Sequence, residues 1–157
     1  QGASRAIMVV LMLIGGASGS TAGGMKVNTV GVLFANLGAI FRRRSEVEAF
    51  GRRIDPATVR QAAVIVTMYL TLFIGGGVAI SAIEGLPIGS CLYESASAVA
   101  TVGLTLGITP SLGVASQLIL TVQMYLGRVG GLTLIYAALA NPDTTPSRLP
   151  QEKVSVG

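Results

Sequence analysis

The run Thr101-Val-Gly-Leu104 has no side chain suited to covalent catalysis, yet its backbone can do one kind of chemistry. Glycine at 103 admits dihedral angles that aim successive carbonyl oxygens the same way. Carbonyls so aimed replace the hydration shell of a bare cation, as in the Thr-Val-Gly strands of potassium-channel filters. Three residues match often by chance, so an ordinary helix break competes with this reading until the surroundings are weighed. A second stretch, Gly15-Gly-Ala-Ser-Gly-Ser-Thr-Ala-Gly-Gly-Met-Lys26, interrupts apolar sequence on either side and holds five glycines within residues 15–24. A third feature is Arg128, set between Gly127 and Gly130-Gly131 in a long apolar segment. Histidine is absent from the sequence, which removes the commonest general base and metal ligand, and the single Cys91 can form no internal disulfide and reads as a packed residue.

The glycine-rich stretch has two simpler readings. Gly19 to Lys26 approaches a phosphate-binding loop, in which backbone amides and a lysine hold nucleotide phosphates at a helix start. A methionine separates the last glycine from Lys26, no Ser or Thr follows that lysine, and the preceding segment has the length of a helix rather than a short β-branched strand. The other reading, a loop between two core helices of a soluble domain, conflicts with composition. Of 157 residues, 51% are hydrophobic and 11% charged, whereas a soluble domain carries about a quarter charged residues. This is the composition of a membrane protein. In hydrocarbon an unpaired backbone N–H or C=O costs several kcal/mol, so a break at that depth must be buried in protein or line a watery cavity.

The elements that would position these residues follow from the charge pattern. Residues 61–83 contain no charge over 23 positions, and residues 95–127 none over 33. At about 1.5 Å per residue the first run spans the roughly 30 Å hydrocarbon core. The second is too long for one simple helix, and Gly103, Gly107, Pro110 and Gly113 divide it. Arg5 is too meagre a charged region for a secretory signal, so the first apolar segment is expected to belong to the fold. Arg42, Arg43, Arg44, Arg52, Arg53 and Arg60 mark residues 42–60 as a cytoplasmic basic loop, which can also meet anionic lipid headgroups. Asp55-Pro56 predicts a helix start with Asp55 as N-cap. After the turn at 84–89, Ser90 to Ala100 predicts a helix that reaches only about halfway into the bilayer before 101–107 climbs back out. A last helix is predicted over 115–140, followed by a polar tail at 141–157. Arg128 then lies near mid-membrane, where even the lenient insertion scale charges about 2.5 to 3.5 kcal/mol, so it should face the protein interior and find acceptors.

Taken together, residues 15–26, the stretch Tyr93-Glu-Ser-Ala-Ser-Ala-Val-Ala-Thr-Val-Gly-Leu-Thr-Leu-Gly-Ile-Thr-Pro110 and Gly127-Arg-Val-Gly-Gly-Leu-Thr133 resemble the C-terminal part of the Trk/Ktr/HKT potassium transporters, the TrkH/KtrB-type membrane subunits. The resemblance implies an all-α membrane protein built of helix–pore-loop–helix repeats, four of them around one pore. It assigns 1–41 to the broken second helix of the third repeat, 61–140 to the fourth repeat, and about three membrane-crossing helices plus one re-entrant pore helix to the whole. It further implies that Thr101, Val102, Gly103 and Leu104 form the fourth filter strand. Gly15, Gly16, Ser18, Gly19, Ser20, Thr21, Gly23, Gly24 and Lys26 would form a gating loop beneath it, with Arg128 as the partner of that loop. Leu104 stands where a strict channel filter has tyrosine-glycine, so looser selectivity is expected.

The function so implied is potassium uptake across the cell membrane, without catalysis, cofactor or any metal beyond the transported K+. Implied partners are membrane lipid, a second copy in a homodimer and cytoplasmic nucleotide-binding regulatory subunits of the TrkA/KtrA kind, with no nucleic acid. Two repeats, the third pore helix and its filter strand have no counterpart here. With Gln1 entering apolar sequence within five residues, a fragment is expected rather than a pore rebuilt from separate chains. A helix-broken transporter for a small organic solute is the main rival, and a continuous crossing over 90–107 would favour it. A nucleotide-binding enzyme is the other.

Overall fold

The computed structural model describes residues 2–17, 19, 22–44, 46–49 and 52–129. Helix α1, Gly2–Leu13, and helix α2, Val27–Phe41, flank the glycine-rich stretch. A pair of two-residue antiparallel strands, β1 (Glu48–Ala49) and β2 (Arg52–Arg53), lies in the basic loop. Helix α3, Pro56–Glu84, helix α4, Ile88–Val99, and helix α5, Val114–Val129, complete the order, with a 3-10 turn at Thr109–Ser111 before α5. The remainder of the last predicted helix and the tail lie outside the described residues.

Local chemistry sets the helix ends. The Asp55 carboxylate accepts from the Ala57 amide at 3.1 Å and Pro56 occupies the first turn, so α3 starts where the Asp-Pro pair directs it. Gly85 closes α3 in the left-handed conformation, φ 66°, with its N–H on the Ser81 carbonyl at 2.9 Å. With 29 residues, α3 is about 44 Å long, and among the described residues it is the one helix long and apolar enough to cross a membrane. Its threonines do not demand outside partners, because Thr67 and Thr71 donate back to the Ala63 and Thr67 carbonyls at 2.9 and 2.8 Å.

Helix α4 is the hub. It packs against α1, α3 and α5, and every residue from Tyr93 to Ala100 is buried. The reason is its small-residue sequence, Ser95-Ala-Ser-Ala98, which lets neighbouring backbones approach where hydrocarbon offers no hydrophobic drive. Hydrogen bonds tie the hub: Ser95 Oγ donates to the Phe73 carbonyl at 2.7 Å, and Gln123 Nε2 on α5 donates to the Leu72 carbonyl at 2.6 Å and to Ser95 Oγ at 2.9 Å. Cys91 is buried with Ile80, Ala98, Leu112 and Leu120 in one of two apolar clusters. The outside is the reverse of a soluble domain, since Phe34, Phe41 and Val114 are each more than two-thirds exposed.

Candidate functional site

The site begins at the C-terminal end of α4. The Thr101 amide donates to the Ala98 carbonyl and the Val102 amide to the Ser97 carbonyl, both at 3.0 Å, the paired bonds of a Schellman ending. That ending needs a left-handed residue, and the one that supplies it is Thr101, φ 54°, rather than glycine. A β-branched residue there is an outlier that costs roughly 1–2 kcal/mol, so the surroundings must hold it. Gly103 follows at φ 83°, while neither Val102 nor Leu104 has positive φ. Residues with positive and ordinary φ therefore alternate through 101–104.

The glycine-rich stretch holds Thr101 from beneath. Its neck is closed by backbone bonds from Gly15 N to the Met25 carbonyl, 2.6 Å, and from Met25 N to the Leu13 carbonyl, 3.2 Å. The Gly23 amide donates to Thr101 Oγ1 at 3.1 Å. A Cβ on Gly23 would overlap the Thr101 side chain and one on Gly24 would press on Ala100, so the bare backbone permits this contact. Lys26 precedes α2 and folds back, its Nζ on the Ala22 carbonyl at 2.6 Å. Between α1, this loop and the strand lies a cavity of about 470 Å³, lined by Met8, Leu11 and Met12, by Gly15, Gly16 and Gly23, and by Ala100, Val102 and Leu104. Ser18, Ser20 and Thr21 lie outside the described residues; Gly19 is exposed with φ 87°.

Arg128 reaches the same level of the molecule by way of its neighbour. A Cβ on Gly127 would overlap the Val99 carbonyl oxygen, so α5 lies close against the last turn of α4, and the Tyr69 hydroxyl of α3 donates to the Gly127 carbonyl at 3.2 Å. Arg128 itself is exposed in the last turn of α5, so within these residues it does not face the interior as its mid-membrane position predicts; the buried residue of the pair is Gly127. Gly23, Gly24, Thr101 and Gly127 thus converge on one helix end, although Gly23 and Gly127 are more than a hundred residues apart in sequence.

Two carboxylates outside the predicted site residues hold the segment that follows the strand. Glu94, 4% exposed, accepts from Thr105 Oγ1 at 2.6 Å, the Leu106 amide at 2.8 Å and Thr109 Oγ1 at 2.7 Å. Glu84 accepts from the Gly113 amide at 2.8 Å and Ser116 Oγ at 2.6 Å, fastening the start of α5 to the end of α3. Glu94 is the single carboxylate between Glu84 and Asp143, and a lone acid in apolar sequence marks a candidate site by itself.

The cation transport protein family TrkH matches residues 2–146. The chain belongs to this family. The potassium/sodium uptake protein NtpJ of Enterococcus hirae is 38% identical over 96% of the chain and 35% of its own length. The Ktr system potassium uptake protein B of Vibrio alginolyticus is 36% identical over 96% of the chain and 33% of its own length, and that of Bacillus subtilis 36% identical over 95% and 33%. The chain therefore spans about a third of these relatives. Membership makes it a membrane protein of a transport family and not an enzyme. The loop geometry agrees, because a phosphate-binding loop follows a strand whereas residues 15–26 follow helix α1.

Proposed function

We propose that this TrkH-family chain supplies one wall of a potassium-uptake pathway, with Thr101, Val102, Gly103 and Leu104 as a carbonyl-lined filter strand. The observation that carries the reading is the strained left-handed Thr101, locked by the Gly23 amide and followed by Gly103 at φ 83°. Strain held in place by several contacts clusters where function needs a fixed geometry. Helix α4 acts as the pore helix: with 12 residues it is about 18 Å long, too short to cross, and the partial negative charge of its C-terminus favours a cation beside 101. Its termination at Val99 favours a re-entrant element over the continuous crossing that an organic-solute transporter would show.

In this reading α1 and α2 are the broken second helix of one repeat, α3, α4 and α5 belong to the next, and the basic loop at 42–60 faces the cytoplasm. The loop 15–26 is the gate. Its support is position, since it floors the cavity that opens below Val102 and Leu104. Arg128 is its partner, a fixed positive barrier delivered to that level by the Gly127 contact. The transported ion is K+, as the names of the relatives suggest, and NtpJ's name adds sodium. Pore closure by further repeats, a homodimer and nucleotide-binding regulatory subunits at the basic loop complete the assembly, and the Ktr "system" naming suits a transporter of several components.

Gly103→Ser in the full-length transporter tests the filter. A side chain at a left-handed position costs about 1–2 kcal/mol, enough to change discrimination about tenfold. The K+ over Na+ uptake ratio is expected to fall by that factor at unchanged protein level, and an unchanged ratio overturns the assignment.

A further inference from the structure

The strand after α4 has no sheet partner among the described residues, so its shape depends on where it is anchored. One anchor is the Schellman ending with the Gly23–Thr101 bond. The other is Glu94. Both oxygens of this buried carboxylate are engaged: Oε1 takes the Thr105 hydroxyl at 2.6 Å and the Leu106 amide at 2.8 Å, and Oε2 takes the Thr109 hydroxyl at 2.7 Å. The Gly107 amide in turn donates to Thr105 Oγ1 at 2.9 Å, so the carboxylate organises 105–109 as a unit. Gly103 and Leu104 are suspended between the two anchors.

We infer that Glu94 is a positioning residue for ion discrimination, fixing the span of the strand across Gly103 by hydrogen bonding from behind; the inference rests on the filter reading above. Carbonyl ligands distinguish ions by their spacing and by how firmly it is held, and a site left without a supporting shell becomes loose. Shape, not charge, is what Glu94 contributes. An acid in an apolar layer is costly, and a neutral packing residue would avoid that cost. Three converging donors explain why an acid occupies the position. Glutamine can imitate most of this arrangement, since its oxygen serves Leu106 and Thr105 and its amino group reaches Thr109 Oγ1. Alanine cannot.

The test uses the full-length transporter, with K+ and Na+ uptake kinetics measured at quantified membrane protein levels. Glu94→Ala and Thr109→Val are expected to lower the K+/Na+ ratio about tenfold, the effect of losing a hydrogen bond to a charged group, mainly by raising KM for K+ while Na+ uptake persists. Thr109→Ser, which keeps the hydroxyl, and Glu94→Gln are expected to retain most discrimination. If Glu94→Ala does not reach the membrane, the Thr109→Val and Thr109→Ser pair decides. Wild-type ratios in Glu94→Ala and Thr109→Val, beside a lowered ratio in Gly103→Ser, overturn the brace and leave the filter standing. A wild-type ratio in Gly103→Ser removes the filter and this inference with it. Glu94→Gln as damaging as Glu94→Ala also overturns the brace, because charge would then be the operative property.

Discussion

Thr101 carries two duties that conflict locally and agree globally. As the left-handed residue of a helix ending it is poorly chosen, yet its hydroxyl oxygen receives the amide of the buried Gly23. Thr101→Ser keeps the acceptor and relieves the β-branch, so it should be tolerated. Thr101→Val keeps the shape and loses the acceptor. Thermal unfolding of purified full-length protein should show Thr101→Val destabilised by about 1–3 kcal/mol, the usual effect of orphaning a buried donor, and Thr101→Ser near wild type. Some of this was legible in the sequence: Asp55-Pro56 announced a helix start, and Gly103 marked a bend. The left-handed threonine was not, because propensity alone would never place a β-branched residue there. The Glu94 bonds were hidden for a different reason, as they join residues whose meeting depends on how the strand folds back over α4.

At the scale of elements, α4 decides the arrangement. Its small residues let α3 and α5 close on it, and its last turn receives the glycine loop from one direction and Gly127 from another. The sequence exposed α4 through its length and the loop through its glycine content, since bare backbone and a helix too short to cross are composition-level signals. The β1–β2 pairing in the basic loop was not foreseen; its ion pairs, Arg44–Glu48 at 3.1 Å and Arg53–Glu46 at 2.8 Å, are exposed and contribute little. The loop at 15–26 supports a functional prediction of its own. Deleting 18–22, which leaves the Gly23–Thr101 bond and removes bulk from the passage, or Arg128→Gln, which removes a fixed charge from it, should raise rubidium flux through the full transporter several-fold if loop and arginine form the barrier. Rubidium uptake unchanged by both alterations would remove the gate from the mechanism.

For the molecule as a whole, the exposed apolar faces and the length of the relatives point the same way. Phe34, Phe41 and Val114 face outward, as they would toward lipid or toward further repeats of a longer protein, and the chain spans about a third of the relatives it matches. Under the proposed reading, the cavity beside Val102 and Leu104 forms one side of the ion passage. Composition revealed the membrane class and the motifs revealed the family, because both are carried by residue type and spacing, whereas the meeting of the glycine loop with the end of α4 depends on packing between distant segments. What can be examined directly is ion occupancy. In crystals of the full-length transporter grown with rubidium, anomalous scattering should show an ion within coordination distance of the carbonyl oxygens of Thr101, Val102 and Gly103. Rubidium found along another route, with these carbonyls vacant while the protein transports the ion, would contradict the assignment of this strand as the filter.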